Sequence, residues 1–110
     1  MAYDEDLADR IRGAIQDQDG VTEKKMFGGL AFLVNGNMAV SASGQGGLLL
    51  RVDPSETASL VSEKGVTRFE MRGREMDGWL RIDTSAAASD EELTRWVQIG
   101  AAYAGSLLPK

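Results

Sequence analysis

The chain has 110 residues and neither cysteine nor histidine, which excludes disulfides, thiolate chemistry, cysteine-based zinc sites and the usual general base near neutral pH. A hydrophobic content of 43% is ordinary for one globular domain over residues 1–110, no stretch has the apolar length needed to cross a bilayer, and the acidic N-terminus lacks a signal-peptide pattern, so the expected location is the cytoplasm. The net charge of −5 is concentrated at the ends: residues 1–19 carry six acids and two bases, whereas residues 20–83 carry eight of each, and such a chain is a poor autonomous binder of nucleic acid.

Asp4 to Gln18 predicts an amphipathic helix. Leu7, Ile11, Ala14 and Ile15 recur at helical spacing, acids crowd the first turn, and Gly20 follows as a stop. Short strands are then expected near 23–27, 30–34, 37–42 and 48–52. Asn35-Gly36 is the preferred pair for a type I′ hairpin, since both positions need positive φ. Gly28-Gly29 marks a turn or bulge, where the backbone needs positive φ or close approach. Asp53-Pro54 opens a second helix and Gly65 ends it. Strands near 66–71 and 78–83 follow. Ser89-Asp90-Glu91-Glu92 is a capping box for a last helix, with Leu93, Trp96, Val97, Gly100, Ala104 and Leu107 along one side. The expected architecture is a two-layer α+β domain. It has a mainly antiparallel sheet of five to six strands with helices on one face, in the order helix, four strands, helix, two strands, helix.

Alternation along the strands assigns the two faces. Leu30, Phe32, Val34, Leu48, Leu50, Val52, Leu80 and Ile82 should meet the helices. The opposite face then holds Ala31, Leu33, Leu49, Arg51, Trp79 and Arg81, which is unusually apolar for a solvated sheet. Leu33, Leu49 and Trp79 are therefore expected to mark a protein interface with Arg51 and Arg81 at its rim, most simply a homodimer. The alternative is that Trp79 folds over a loop or under the N-terminal segment.

Other candidates have plainer readings. Lys24-Lys25 with Arg72 and Arg74 would make a small basic patch, against a solvated strand edge. Gly44-Gln45-Gly46-Gly47 precedes a strand and lacks the Lys-Ser/Thr of a phosphate loop, so it reads as a hairpin turn. Asp17-Gln18-Asp19-Gly20 lacks the early ligand of a calcium loop, and Asp4, Glu5, Asp6 and Asp9 suit the helix dipole better than a cation. Arg74-Glu75-Met76-Asp77 sits at a wet turn, unsuited to acid–base work. Met26, Phe27, Met71, Met76 and Trp96 are expected in the core. No catalytic residue, metal or cofactor is expected.

The Met26-Phe27-Gly28-Gly29 motif, the Leu30-Ala31-Phe32 strand and the Asn35-Gly36 turn resemble the N-terminal domain of the TfoX/Sxy competence regulators. So does Gly73-Arg74-Glu75-Met76-Asp77-Gly78-Trp79-Leu80. With the terminal helices, the resemblance covers nearly the whole chain. It implies a bacterial cytoplasmic regulatory domain. Full-length members resemble transcription co-regulators that act with the cyclic-AMP receptor protein and carry a second, C-terminal domain. This chain is expected to be a stand-alone member without it. The expected function is a non-enzymatic regulatory or protein-interaction module whose partner is a protein, in this family a transcription regulator. The alternatives are a small-molecule-binding domain and an accessory DNA-binding protein.

Overall fold

A computed structural model describes residues 3–26, 28–44, 46–71 and 73–109. Helix α1 spans Glu5–Ile15, and Asp4 caps it by accepting from the Asp6 and Leu7 amides at 3.0 and 3.2 Å. Four strands follow: β1 (Val21–Met26), β2 (Gly29–Val34), β3 (Asn37–Ala42) and β4 (Leu48–Arg51). A 3₁₀ turn at Pro54–Glu56 leads into the short helix α2 (Thr57–Leu60). Strands β5 (Val66–Met71) and β6 (Arg74–Ile82), a 3₁₀ turn at Thr84–Ala87 and helix α3 (Asp90–Ser106) complete the chain. Every strand pairing is antiparallel, and the order across the single sheet is β1-β2-β3-β4-β6-β5.

Local chemistry explains most boundaries. Asn35 and Gly36 have φ of 52° and 84°, so the β2–β3 hairpin turns as a type I′ pair requires. Ser89 and Glu92 form a reciprocal capping box at the start of α3, satisfying amides that have no partner within the helix. The second helix is shorter than the sequence predicts. After Leu60 the chain turns through residues 61–65 instead of continuing to Gly65. Only Thr57 and Leu60 of α2 are buried, so no packing supports further helix over Ser62-Glu63-Lys64.

The main core lies between the helices and one face of the sheet. Leu7, Ile11 and Ile15 of α1 and Leu93, Trp96, Val97 and Ala104 of α3 join Leu30, Phe32, Val34, Leu48, Leu50, Leu80 and Ile82 in one cluster. Trp96 is buried as expected, and its Nε1–H donates to the Ala86 carbonyl at 3.0 Å. Gly100 brings α3 close to β3, since a Cβ there would sit 2.6 Å from the Ala39 carbonyl oxygen. Among the described residues, no helix is long and apolar enough to cross a membrane.

Ion pairs tie the layers at their margins. Arg12 of α1 donates to both carboxylate oxygens of Glu23 on β1, at 2.6 and 2.9 Å, and also bonds Asp9. Arg95 of α3 grips Glu63 at 2.6 and 2.7 Å. The hydrogen bonds from Arg12 and Arg95 hold the Glu23 and Glu63 carboxyls below the usual glutamate range. Asp53 and Asp83 are lowered in the same direction, Asp53 first by the Ser55 backbone amide and Asp83 first by the Ser85 hydroxyl.

A group whose pKa falls on folding contributes stability above its unfolded pKa, and loses it as pH drops through the folded pKa. No histidine titrates between these carboxyls and the basic side chains. The thermal midpoint should therefore be flat from about pH 6 to 8 and fall below about pH 4.5, the region of ordinary glutamate and aspartate titration. Calorimetry across pH 3–8 would check this. A midpoint that rises on acidification would contradict the assignment.

Candidate functional site

A second apolar cluster lies on the sheet face away from the helices. Ala31, Met38 and Leu49 form its floor, and Met26, Leu33, Phe69 and Trp79 pack around them. The register explains the grouping. Side chains directly opposite in an antiparallel pair share a face. One row crosses the sheet through Lys24, Ala31, Ser41, Leu49, Arg81 and Thr67. Beside it, Thr22 faces Leu33, Leu33 faces Met38, and Arg51 faces Trp79.

Alternation in the sequence places Leu33, Leu49, Trp79, Arg51 and Arg81 on this face, and the structure brings them there. Met38 and Phe69 were not anticipated. Phe32 pairs with Val40 and Leu33 with Met38, so Ala39 is an extra residue in β3. That bulge turns Met38 outward and leaves both Ala39 and Val40 in the main core. A bulge has no reliable mark in the sequence. Phe69 follows from Val66 and Thr67 by simple alternation, so its signal was present.

The face is more closed than an open hydrophobic patch. Leu49 is 5% exposed, Met38 5% and Ala31 0%, although no helix among the described residues packs on this cluster. Leu33, Met26, Phe69 and Trp79 are half-buried and shield the floor. Leu49 is therefore a supporting residue, and the accessible apolar atoms come from the four side chains around it.

Arg51 occupies the end of β4. Its guanidinium lies over the Trp79 ring at 5.2 Å from the centroid and over the Tyr103 ring of α3 at 5.7 Å. One side chain thus links the second cluster to the helix layer. Arg81 donates to the Ser43 hydroxyl at 3.2 Å and the Gly46 carbonyl at 2.9 Å, fastening the β3–β4 loop. That loop presents acceptors to an arginine, unlike a phosphate cradle with its inward amides.

The remaining candidates resolve structurally. Lys24 and Lys25 lie on edge strand β1, paired with Ala31 and Leu30, whereas Arg74 lies on the β5–β6 hairpin at the other edge, so they do not share one strand edge. Asp77 accepts from Arg68 Nε at 2.9 Å, and Glu75 pairs across from Glu70. The turn after α1 packs on the β2–β3 hairpin, where the Asn35 amide donates to the Gly20 carbonyl at 3.0 Å. Among the described residues, no cluster of acids is placed to hold a metal ion. Met26 belongs to the second cluster and Met76 is half-buried opposite Phe69, so neither joins the main core as the sequence predicts. Phe27, Gln45 and Arg72, with the side chain of Met71, lie outside the described residues.

The conspicuous glycines have backbone roles. Gly28 has φ of 74° with open space around it, whereas a Cβ on Gly29 would sit 2.1 Å from the Ala42 carbonyl oxygen. Gly73 has φ of 79° at the β5–β6 turn. Gly78 is buried, and its amide donates to the Thr57 hydroxyl at 2.8 Å.

A cleft of about 380 Å³ separates α2 from α3, lined by Val52, Leu60, Ile99 and Tyr103 with Asp53 and Glu56 at its edge. Tyr103 is thus shared between this cleft and Arg51.

A model of the TfoX N-terminal domain family matches residues 14–104. No curated protein and no solved structure matches the chain.

Proposed function

Because the chain belongs to the TfoX N-terminal domain family, we propose that it is a non-enzymatic protein-interaction module that receives its partner on the helix-free face of the sheet. The observation that carries this reading is the second apolar cluster. Open antiparallel sheets ordinarily present polar residues on their uncovered face. Here that face gathers Met26, Leu33, Phe69 and Trp79 around a buried floor. A half-buried tryptophan beside an arginine is a common energetic centre of protein interfaces. The reading places the chain in the cytoplasm, working with a regulatory protein.

The test is capture from the native host with the tagged full chain at moderate salt. The captured protein should be lost with Trp79→Ala and with Leu33→Glu, and kept with Gln98→Ala on the outer side of α3. Loss of a central aromatic anchor costs on the order of 2 kcal/mol or more, a reduction in affinity of roughly thirtyfold. Melting curves of the three variants would verify that each is folded. Capture at wild-type level by both folded face variants would refute the assignment.

A second reading has one observation in its favour. The cleft between α2 and α3 combines apolar walls with Tyr103, Asp53 and Glu56, the composition of a small-molecule site. A ligand there would perturb Ile99 and Tyr103 and leave Leu33 unchanged.

A further inference from the structure

Charge is sorted between the two faces of the sheet. The chain carries 17 acids against 12 bases. Yet the positions that the register assigns to the helix-free face include Lys24, Arg51 and Arg81 and no acid. The carboxylates of the strands fall elsewhere. Glu23 pairs with Phe32 on the helix side, where Arg12 binds it. Glu70 and Glu75 pair with each other, one step along the strands from the Phe69–Met76 pair, so they alternate away from Phe69. Asp77 is bound by Arg68. Among the described residues that the register places on this apolar face, the only charges are thus positive, in a protein that is acidic as a whole.

Arg51 is the focus of that charge. Arg10, Arg12, Arg68, Arg81 and Arg95 each donate to a carboxylate or a carbonyl. Arg51 is half-buried and makes neither an ion pair nor a hydrogen bond among the described residues; its contacts are the rings of Trp79 and Tyr103. The nearest acid along the chain, Asp53, accepts instead from the Ser55 amide and hydroxyl at 2.9 and 2.8 Å. Ring contacts supply no hydrogen-bond acceptor to a guanidinium, whose N–H fork a carboxylate can meet with two parallel hydrogen bonds.

We infer that the partner segment received by the helix-free face is acidic: an apolar peptide segment whose side-chain carboxylate is bound by Arg51. This rests on the interaction-module reading and specifies its partner's chemistry. A partner that covered Arg51 without bringing an acceptor would strip water from a cation and return nothing. A carboxylate beside apolar side chains satisfies both halves of the site. The same face suits nucleic acid poorly, because few cations lie on it and the whole chain is negative.

The test uses the isotope-labelled full chain and three probes: an octapeptide alternating leucine and glutamate, the same peptide with glutamine for glutamate, and a single-stranded oligothymidylate. The Arg51 Nε–H and Trp79 indole resonances are followed. The glutamate peptide should shift both saturably, and added salt should weaken it. The glutamine peptide, and the glutamate peptide against Arg51→Met, should bind at least about tenfold more weakly. If the glutamine peptide binds equally well, or Arg51→Met changes nothing, the acidic assignment fails while the interaction face stands. If the oligothymidylate shifts the same resonances at lower concentration, the face reads nucleic acid, and both assignments fall. A glutamate peptide that shifts neither resonance also overturns the inference, and the capture experiment then judges the face separately.

Discussion

Replacing Gly29 by alanine should destabilise the protein by about 2–3 kcal/mol, because overpacking against a fixed neighbour costs that much. The neighbour here is backbone. The new Cβ would lie 2.1 Å from the Ala42 carbonyl oxygen and 3.2 Å from the Gly44 amide nitrogen. Ala42 is paired with Leu30 across the β2–β3 ladder, so its carbonyl cannot swing aside without disturbing that pairing. Gly28, one residue earlier, differs. Its φ is 74° and no atom lies within 4 Å of its missing Cβ, so alanine there meets only the left-handed backbone penalty of about 1–2 kcal/mol. The double glycine therefore has two causes, conformation at the first position and space at the second. Thermal melts of both variants would separate them. Gly29→Ala should lower the midpoint by roughly 10–20 °C and Gly28→Ala by less. A Gly29→Ala protein that melts within a few degrees of wild type would contradict the close approach of β2 and β3.

The larger loss is expected at Phe32. Its ring is fully buried in the main core, on a strand flanked on both sides, and it faces Val40 in the register. Phe32→Ala should cost about 3–5 kcal/mol, combining lost transfer energy with an unfilled cavity. Leu33 is the next residue, points to the other face and is half-buried. Leu33→Ala removes less buried surface and should cost about 1 kcal/mol. Urea unfolding with unchanged slope would measure both. Similar losses at the two positions would mean that the faces of β2 are misassigned.

These contrasts show what the sequence specifies and where it stops. Local chemistry was legible. Asn35-Gly36 demanded its hairpin, Ser89 to Glu92 demanded a helix start, and the period-two pattern of β2 and β4 sorted Phe32 from Leu33 and Leu50 from Leu49. Those features depend on neighbours within a few residues. The family was legible from the two glycine-bearing motifs, and the family model covers residues 14–104. Features that depend on distant residues were not legible. The bulge at Ala39 has no local signature, so Met38 was missed. The shielding of Leu49 comes from side chains that the fold gathers from other strands. Tyr103 meets Arg51 only because α3 crosses the end of β4, so the arginine's double ring contact could not be read from either segment alone. Capping and propensity alone carry the second helix to Gly65, whereas packing ends it at Leu60.

The candidate face inherits this division. Alternation gives Ala31, Leu33, Leu49, Arg51, Trp79 and Arg81, whereas Met26, Met38 and Phe69, and the accessibility and charge of the face, come from the assembled sheet. In the proposed interface Trp79 and Leu33 are the contact residues, the buried Leu49 supports them, and Arg51 is the proposed anchor for a carboxylate instead of a rim residue.

Shift mapping of the isotope-labelled full chain against the captured partner tests the central claim most directly. The account predicts that backbone amides of Leu33, Met38, Arg51 and Trp79 move together on the helix-free face, while those of Gly13 and Gln98, exposed on α1 and α3, stay in place. Shifts concentrated on α1 and α3, or around the cleft between α2 and α3, with the helix-free face unmoved, would contradict it.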